Sequence, residues 1–386
     1  MRILVWQWGR FGAGPRVAHE LADGLRAAGA DSVILSLAES AEILNAATPP
    51  MRCELTVPTY DSPAGFGYRL LTAPIGQRSL RRNIAVWRPD IAICAMPALL
   101  DLSMASALAA LRIPFAAIVH DADLHPGDGL PMQMRIQRRL MARADALITL
   151  SDHVERRVRE QLGVRPRQVF LKASLPPFRF GPPAAAPRAH GGPLRLLSFG
   201  RLLPYKGLDL LAGALRALGP RDHLEVRVVG QGPESGTLAE LRAIPSVTVE
   251  NRWVPEAEIA SLLAWSDALV LPYREASQSG VAAAAISARR WVVATRVGGL
   301  EEQFRNERLA LLCDPDEDSI AAAIERLIAL PPESDDGAPR PDDWPATAGA
   351  LIEQLGNRFG PFPKAGLAFG ASPQAPPGAE PLDFDR

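Results

Sequence analysis

Residues 194–215 read LRLLSFGRLLPYKGLDLLAGAL. Leu194–Phe199 is an apolar run of strand length, and Leu208–Leu215 repeats its apolar residues at helical spacing. Between them, Gly200-Arg-Leu-Leu-Pro-Tyr-Lys-Gly207 is a turn bracketed by glycines. An Arg and a Lys five residues apart, on a turn from strand to helix, compose a clamp for a diphosphate. Arg201 offers a planar fork, Lys206 a mobile point charge, and the helix N-terminus adds partial positive charge. The same pair also reads as a surface turn with two solvated cations. Lysine is scarce, with only Lys172, Lys206 and Lys364 in the chain, so the drift toward Arg has passed this position by.

The scheme of that segment recurs along the chain. Apolar runs at 3–8, 32–37, 91–96, 114–120, 146–151 and 169–173 predict strands, with helical patterns between them at 16–28 and 152–162. A second series follows at 194–199, 224–230, 247–250, 268–272, 291–295 and 309–313. Alternation of this kind predicts parallel sheets covered by helices. The 386 residues suffice for two such domains. We expect a first Rossmann-like domain over 1–177, a linker over 178–193 (FRFGPPAAAPRAHGGP), and a second over 194–335. A helix over 342–359 and a Pro- and Gly-rich tail over 360–386, read as disordered, complete the chain.

Composition narrows the function classes. Apolar content of 47% and charged content of 22% describe a globular protein. The net charge of −1 gives no field that would gather nucleic acid. Cys53, Cys94 and Cys313 lack metal-ligand spacing and read as small hydrophobes in a reducing compartment. The first residues, MRILVWQW, read as a strand, and no apolar run is long enough to span a bilayer. The expected location is the cytoplasm, at or near the inner face of the membrane.

Four segments together resemble the GT-B glycosyltransferases of glycosyltransferase family 4: Gly200-Arg201…Lys206-Gly207, EVRVVGQGP (225–233), WVPEAEIASLLAWSDALVLPY (253–273) and WVVATRVGGLEE (291–302). The resemblance implies two doubly wound domains with ligand in the cleft between them and a final helix that crosses back to the first. It implies transfer of a hexose from a nucleotide diphosphate sugar to a glycan or lipid-linked acceptor, with retention of configuration favoured and no cofactor or bound metal. Arg201 and Lys206 would hold the donor diphosphate. Ser279 and Gly280, in Ser277-Gln-Ser-Gly280 at a helix start, would face it with backbone N–H groups; an ordinary Ser N-cap is the plainer reading. Asn251 and Arg252 lie where the family meets the nucleotide base. The broad family carries two glutamates eight positions apart, the second on the ribose. Counting from Glu275 gives Ala283 and from Ala276 gives Ala284, so the stretch resembles instead the branch that runs Pro-Tyr…Ser-Gly.

In the first half, Gly12 and Gly14 of Arg10-Phe-Gly-Ala-Gly-Pro-Arg16 resemble the family's glycine loop. The run Val119-His-Asp-Ala-Asp-Leu-His-Pro-Gly127 follows a buried strand. The resemblance sets His120 and Asp121 beside the sugar, as positioning or proton-handling groups. A structural His-Asp turn, or a metal site of His120, Asp121, Asp123 and His125, are the other readings. His19, His153, His190 and His223 read as surface or linker residues. Arg-rich stretches lie at 68–88 and 131–143. In the latter, Met132, Ile136, Leu140 and Met141 interleave with arginines, which fits either a membrane-surface face or a helix packed on its own sheet. A nucleotide-sugar epimerase and a catalytically silent binding subunit are alternatives that this architecture also allows.

Overall fold

The structure is a computed structural model that describes residues 1–46, 51–123, 127, 131–162, 168–181, 186–188, 190–221, 223–330, 343–360 and 362. Its first unit comprises Met1–Ala122, Leu130–Ser174 and the segment from Asp342 onward. In chain order this unit holds β1 (Arg2–Gln7), α1 (Ala13–Ala27), β2 (Ser32–Ala38), α2 (Glu42–Ala46), β3 (Leu55–Val57), α3 (Pro63–Trp87), β4 (Ile91–Cys94), α4 (Asp101–Leu111), β5 (Phe115–Val119), α5 (Pro131–Arg143), β6 (Ala146–Thr149), α6 (Asp152–Leu162) and β7 (Val169–Lys172). The second unit, Asp123–Gly129 with Leu175–Pro341, holds β8 (Leu194–Phe199), α7 (Leu208–Leu218), β9 (Leu224–Gly230), α8 (Gly236–Arg242), β10 (Val247–Asn251), α9 (Glu256–Trp265), β11 (Ala268–Leu271), α10 (Gly280–Ser287), β12 (Trp291–Thr295), α11 (Gly299–Phe304), β13 (Ala310–Cys313) and α12 (Glu317–Ala329). The last helix, α13 (Asp343–Phe359), belongs to the first unit.

Both sheets are parallel throughout, with orders β3-β2-β1-β4-β5-β6-β7 and β10-β9-β8-β11-β12-β13. Strands covered on both faces need no polar alternation, and β4, β5, β6, β11 and β12 are buried at every position. In each unit the chain order reverses beside one strand, between β1 and β4 and between β8 and β11. Doubly wound sheets bind ligands at the carboxyl ends of the strands that flank such a point. Loops after β1, β4, β8 and β11 are therefore the ones to inspect.

Strand β3 was not anticipated. Three residues between Glu54 and Pro58 are too short for a periodicity signal, yet they pair in register with Ser36–Ala38 of β2. Helix α13 packs on α1 so closely that a Cβ on Gly24 would lie 2.7 Å from the Trp344 carbonyl oxygen. Trp344, Ala348, Leu351 and Leu355 form its buried face. Gln354 bonds both the N–H and the C=O of Lys172, at 3.3 and 3.2 Å, and so satisfies the last residue of the edge strand β7. The tail expected over 360–386 lies outside the described residues, apart from Gly360 and Phe362.

Two expectations change in detail. The described part of 178–193 forms no helix or strand, but it is no free tether. Phe178 is buried, with its N–H 3.4 Å from the Ala283 carbonyl, and its ring meets Phe180 edge-on. His190, read as a surface or linker residue, is exposed in this segment and also bonds the buried Asp267 carboxylate at 3.1 Å, which accepts the backbone N–H of Arg188 and Arg195 as well. A buried carboxylate at the start of β11 needs those donors. Helix α5 resolves toward packing on its own sheet: Leu140 and Met141 lie in the core, Met134 is buried and Ile136 half-buried, while Met132 is exposed. Cys94 and Cys313 are buried, Cys53 is half-buried, and all three are free thiols.

Candidate active site

The carboxyl edge of the second sheet is built by backbones that approach more closely than side chains permit. Gly230, at the end of β9, has φ +156°, and a Cβ there would sit 1.6 Å from the Gly200 carbonyl oxygen. Gly200 donates to Val229 at 3.0 Å and Leu202 to Gln231 at 2.9 Å, so the turn after β8 is held to the end of β9. Pro204–Lys206 then forms one 3₁₀ turn, and Gly207, left-handed at φ +63°, opens α7 against Pro272, the residue after β11. Two neighbouring strand ends are thereby drawn onto one point, and Arg201 and Lys206 stand there.

Tyr273 ties this turn to the next element. The Lys206 ammonium lies 3.6 Å from the centre of the Tyr273 ring and 4.9 Å from that of Tyr205, an aromatic seat for a cation. The Tyr273 hydroxyl reaches Ser279 Oγ at 3.5 Å. Arg201 donates to the Tyr205 hydroxyl at 3.0 Å and keeps its side chain exposed. Ser279 is the N-cap of α10, its Oγ accepting from Ala282 N–H at 3.2 Å. So the ordinary capping role and the place at the site coexist. Gln303 on α11 grips the same residue twice: Oε1 accepts Ser279 N–H at 3.2 Å and Nε2 donates to Ser279 O at 3.1 Å. The structure thus brings Arg201, Lys206, Ser279 and the first turn of α10, with Gly280, to one edge. It adds Tyr205, Tyr273 and Gln303, which sequence reasoning had not singled out. The Pro-Tyr of the Pro-Tyr…Ser-Gly stretch was the available signal for Tyr273; Gln303 had none.

Asn251 and Arg252 take a different part. Asn251 accepts from Gly232 N–H and donates to Gly232 O, both at 3.0 Å, and donates to Glu234 at 2.7 Å. Arg252 is bonded to Glu250 at 2.8 Å and to Glu258 at 2.8 Å. Their side chains brace the loops after β9 and β10, and the Arg252 N–H is itself bonded to the Gly230 carbonyl at 2.7 Å. Ala283 and Ala284 are buried, so neither position of the absent second glutamate opens onto solvent.

In the first unit the loop after β1 runs Gly9–Gly12 into α1. Gly12 has φ +82° with open space where a Cβ would be, and it caps α1 without a side-chain bond. Gly14 is a packing glycine: a Cβ there would meet Gln7 Nε2 at 2.6 Å and the Met96 sulfur at 3.2 Å. His120 follows β5 and is only 8% exposed. Its Nε2 lies 2.9 Å from the Ala95 carbonyl, which can only accept. That fixes the neutral ring as the Nε2–H tautomer, with Nδ1 left as acceptor. Burial pushes its pKa below the usual value, against the opposing pull of the Ala95 bond and of Asp121. The Asp121 carbonyl accepts from Gln137 at 2.9 Å. His125 lies outside the described residues, and among the described residues no group of His, Cys, Asp or Glu is arranged to hold a metal.

Beneath this edge sits a group the sequence did not flag. Asp101, at the first turn of α4, is fully buried; its Oδ2 accepts from Ala98 N–H at 2.7 Å and from the Cys94 thiol at 3.4 Å. Burial raises its pKa to about 7.

Two doubly wound parallel sheets, with a glycine-pinned cationic turn at the second and a glycine loop at the first, are the architecture of the GT-B glycosyltransferases. The profile of the glycosyl transferase 4-like domain matches residues 12–172, and that of the glycosyl transferases group 1 matches residues 193–329. The chain belongs to the group 1 glycosyltransferases. It is 27% identical over 370 residues to a glycogen synthase of Mycobacterium tuberculosis, covering 86% of this chain and 87% of that one. A D-inositol 3-phosphate glycosyltransferase of Saccharomonospora viridis is 31% identical over 240 residues, 56% of this chain and 55% of the relative. Among solved structures, HepE of Anabaena in complex with UDP and glucose superposes with a TM-score of 0.62 at 19% identity, over 93% of this chain and 95% of that one.

Proposed function

We propose that this glycosyltransferase draws its sugar from a nucleotide diphosphate donor and delivers it to a glycan or lipid-linked saccharide at the inner face of a membrane, in surface polysaccharide assembly. One observation carries the donor half of the reading. Tyr273 joins Lys206 to Ser279, so two cations and the start of a helix serve one point. As the glycosidic bond breaks, charge grows on the departing diphosphate. Lys206, Arg201 and the first amides of α10 are donors already in place for it. HepE, the neighbour in fold, holds UDP and glucose.

On the first unit, His120 presents an unprotonated Nδ1 at neutral pH, and Asp121 stands beside it. Their role in this reading is to orient the sugar or pass a proton at Nδ1. Retention of configuration is the expected outcome, and the reaction calls on no cofactor. The test is a thermal-shift and calorimetric screen against UDP-, GDP-, ADP- and dTDP-sugars, followed by product analysis with saccharide acceptors. One nucleotide series should bind and yield a glycosylated acceptor. Binding by none, or release of an epimerised donor without an acceptor being consumed, overturns the reading.

A further inference from the structure

The loop between β4 and α4, residues 95–100, lies where the strand order of the first sheet reverses, and it carries the carbonyl that fixes His120. Its sequence, Ala-Met-Pro-Ala-Leu-Leu, offers no oxygen or nitrogen side chain to bond its own backbone, and Pro97 has no N–H to give. The loop therefore depends on its neighbours. Ala95 N–H bonds the Trp6 carbonyl of β1 at 3.0 Å, and Ala98 N–H bonds Asp101 Oδ2 at 2.7 Å. The Cys94 sulfur receives the Met96 N–H and passes its own proton to the same Asp101 oxygen, at 3.4 Å. Asp101 N–H returns to the Ala98 carbonyl at 3.3 Å, so residues 98–101 close on themselves. One carboxyl thus gathers the middle of the loop, directly at Ala98 and through a thiol at Met96.

That carboxyl is costly where it lies. Asp101 is fully buried, and among the described residues no Lys, Arg or His pairs with it. An acid in the first turn of a helix gains from the helix dipole while still exposed, so α4 has no need to bury one. The cap position is held by Leu100, which makes no side-chain bond. Every group that faces the carboxyl is a donor: Ala98 N–H, the Cys94 thiol and the Trp6 indole, whose Nε1 has no other partner. Two titratable groups stand near it. Cys94 of β4 and Tyr60, from the loop after β3, are both pushed up by burial and stay neutral. Helices α3 and α5 pack on α4 without bringing it an ion pair; Arg143 of α5 turns instead to Ser106 Oγ, at 3.3 Å. A displaced acid kept beneath a ligand-binding edge is the arrangement that functional sites concentrate.

We propose that Asp101 is a positioning residue for His120: by holding the Ala98 N–H and the Cys94 thiol it fixes the loop, and with it the Ala95 carbonyl that sets the tautomer and direction of the ring. Asp101 acts only through backbone and meets no substrate. Its ionised form grips an N–H more strongly than its neutral form. With the carboxyl pushed up to about 7, the grip tightens as pH rises through neutrality. For its effect on turnover the proposal rests on the reading of His120 as a sugar-facing group; for its effect on the ring it does not.

The test is nitrogen NMR of the whole protein labelled in its histidines, with His120 assigned by His120→Gln. Wild type should show one tautomer, protonated on Nε2. Its ring shift should bend twice with pH, once below 6.5 from the imidazole and once near 7 from Asp101. Asp101→Ala frees the Ala98 N–H, so the Nε2 proton should exchange with water about tenfold faster and the two ring nitrogens should draw together in shift. Asp101→Asn keeps an acceptor for Ala98; it should restore the single tautomer and lose the inflection near 7. If Asp101→Ala does not fold, that lost inflection decides the matter. Met104→Ala removes another fully buried side chain from α4; it should lower the melting temperature and leave the His120 signals in place. Turnover with the donor and acceptor selected by the screen should fall roughly tenfold in Asp101→Ala, at unchanged nucleoside diphosphate affinity, and recover in Asp101→Asn. A ring that responds while turnover does not would keep Asp101 as the positioning group and remove His120 from the reaction. Unmoved His120 signals in Asp101→Ala, equal movement in Met104→Ala, or an inflection near pH 7 that survives in Asp101→Asn would each overturn the proposal.

Discussion

The two sheet edges hold their charges in opposite ways. In the second unit the cations stand at the surface on aromatic supports: Lys206 over Tyr273 and Tyr205, Arg201 on the Tyr205 hydroxyl. The backbone beneath them is pinned by Gly207 and Gly230, where a Cβ would clash with neighbouring carbonyl oxygens. In the first unit the titratable groups are sunk: His120 is nearly closed off, Asp101 fully so, and burial moves both pKa values toward the neutral form. An edge with fixed, available positive charge suits a diphosphate. An edge whose acid and base are both shifted toward their neutral forms by burial suits proton placement and orientation. The difference between the edges follows from burial alone, before any substrate is considered.

The sharpest way to break this comparison is at His120. Separate His120→Ala and Asp121→Ala changes should lower turnover by roughly 10²-fold while leaving nucleoside diphosphate affinity intact, because the proposed diphosphate site lies on the other unit. Calorimetry with the nucleoside diphosphate, beside initial rates, decides it. A lower melting temperature with turnover per folded molecule preserved would make the pair structural.

Next in size come Lys206→Ala and Arg201→Ala. Each should weaken intact donor and free nucleoside diphosphate alike by about tenfold or more, since a charge-assisted hydrogen bond is worth about 1.5–3 kcal/mol net. Unchanged nucleoside diphosphate affinity in both variants would remove the basis of the donor site. Gln303→Ala tests a finer part of the same edge. Losing two neutral hydrogen bonds to the Ser279 peptide should cost about fivefold in nucleoside diphosphate affinity, at about 1 kcal/mol, with little change in melting temperature. Full affinity in that variant would show that the Ser279 peptide is held by its N-cap role alone.

These residues also mark how far the sequence could be read. The second sheet was legible almost strand for strand, because Leu194–Phe199, Leu224–Gly230 and Trp291–Thr295 are short, predominantly apolar segments of strand length, the first two broken only by single polar residues. The placing of Arg201 and Lys206 on a strand-to-helix turn, and of Ser279 and Gly280 at a helix start, was legible because turn chemistry is local. Gln303 and Asp101 were not, since each acts through a partner distant in sequence or burial that no period announces. Asn251 shows the converse: the position was read, yet its side chain closes the glycine turn rather than facing outward. Helix α3 was legible as Arg-rich, but which face its leucines take is set by where Leu80 and Ile84 find the sheet.

The smallest effect, and the one that sharpens the comparison most, is a change of slope with pH. Asp101 has a folded pKa of about 7 against an ordinary carboxyl value near 3.8, so between these the native state binds the extra proton. Stability from this group is fully present below about pH 4 and is lost as pH rises through about 7. His120 is displaced the other way: its folded pKa lies below the ordinary 6.5, so its contribution is present above that value and fades as pH falls toward the folded one. The two slopes have the same cause, burial, and opposite signs. Asp101→Asn keeps an oxygen for the Ala98 N–H and removes the ionisation. Its urea midpoint should therefore decline less than that of wild type between pH 4 and 7, and the variants should differ most at the upper end. His120→Ala should flatten the curve only below pH 6.5. Parallel curves for wild type and Asp101→Asn would mean that the carboxyl is ionised in the folded protein, and that the first edge carries a buried negative charge where a neutral acid was inferred.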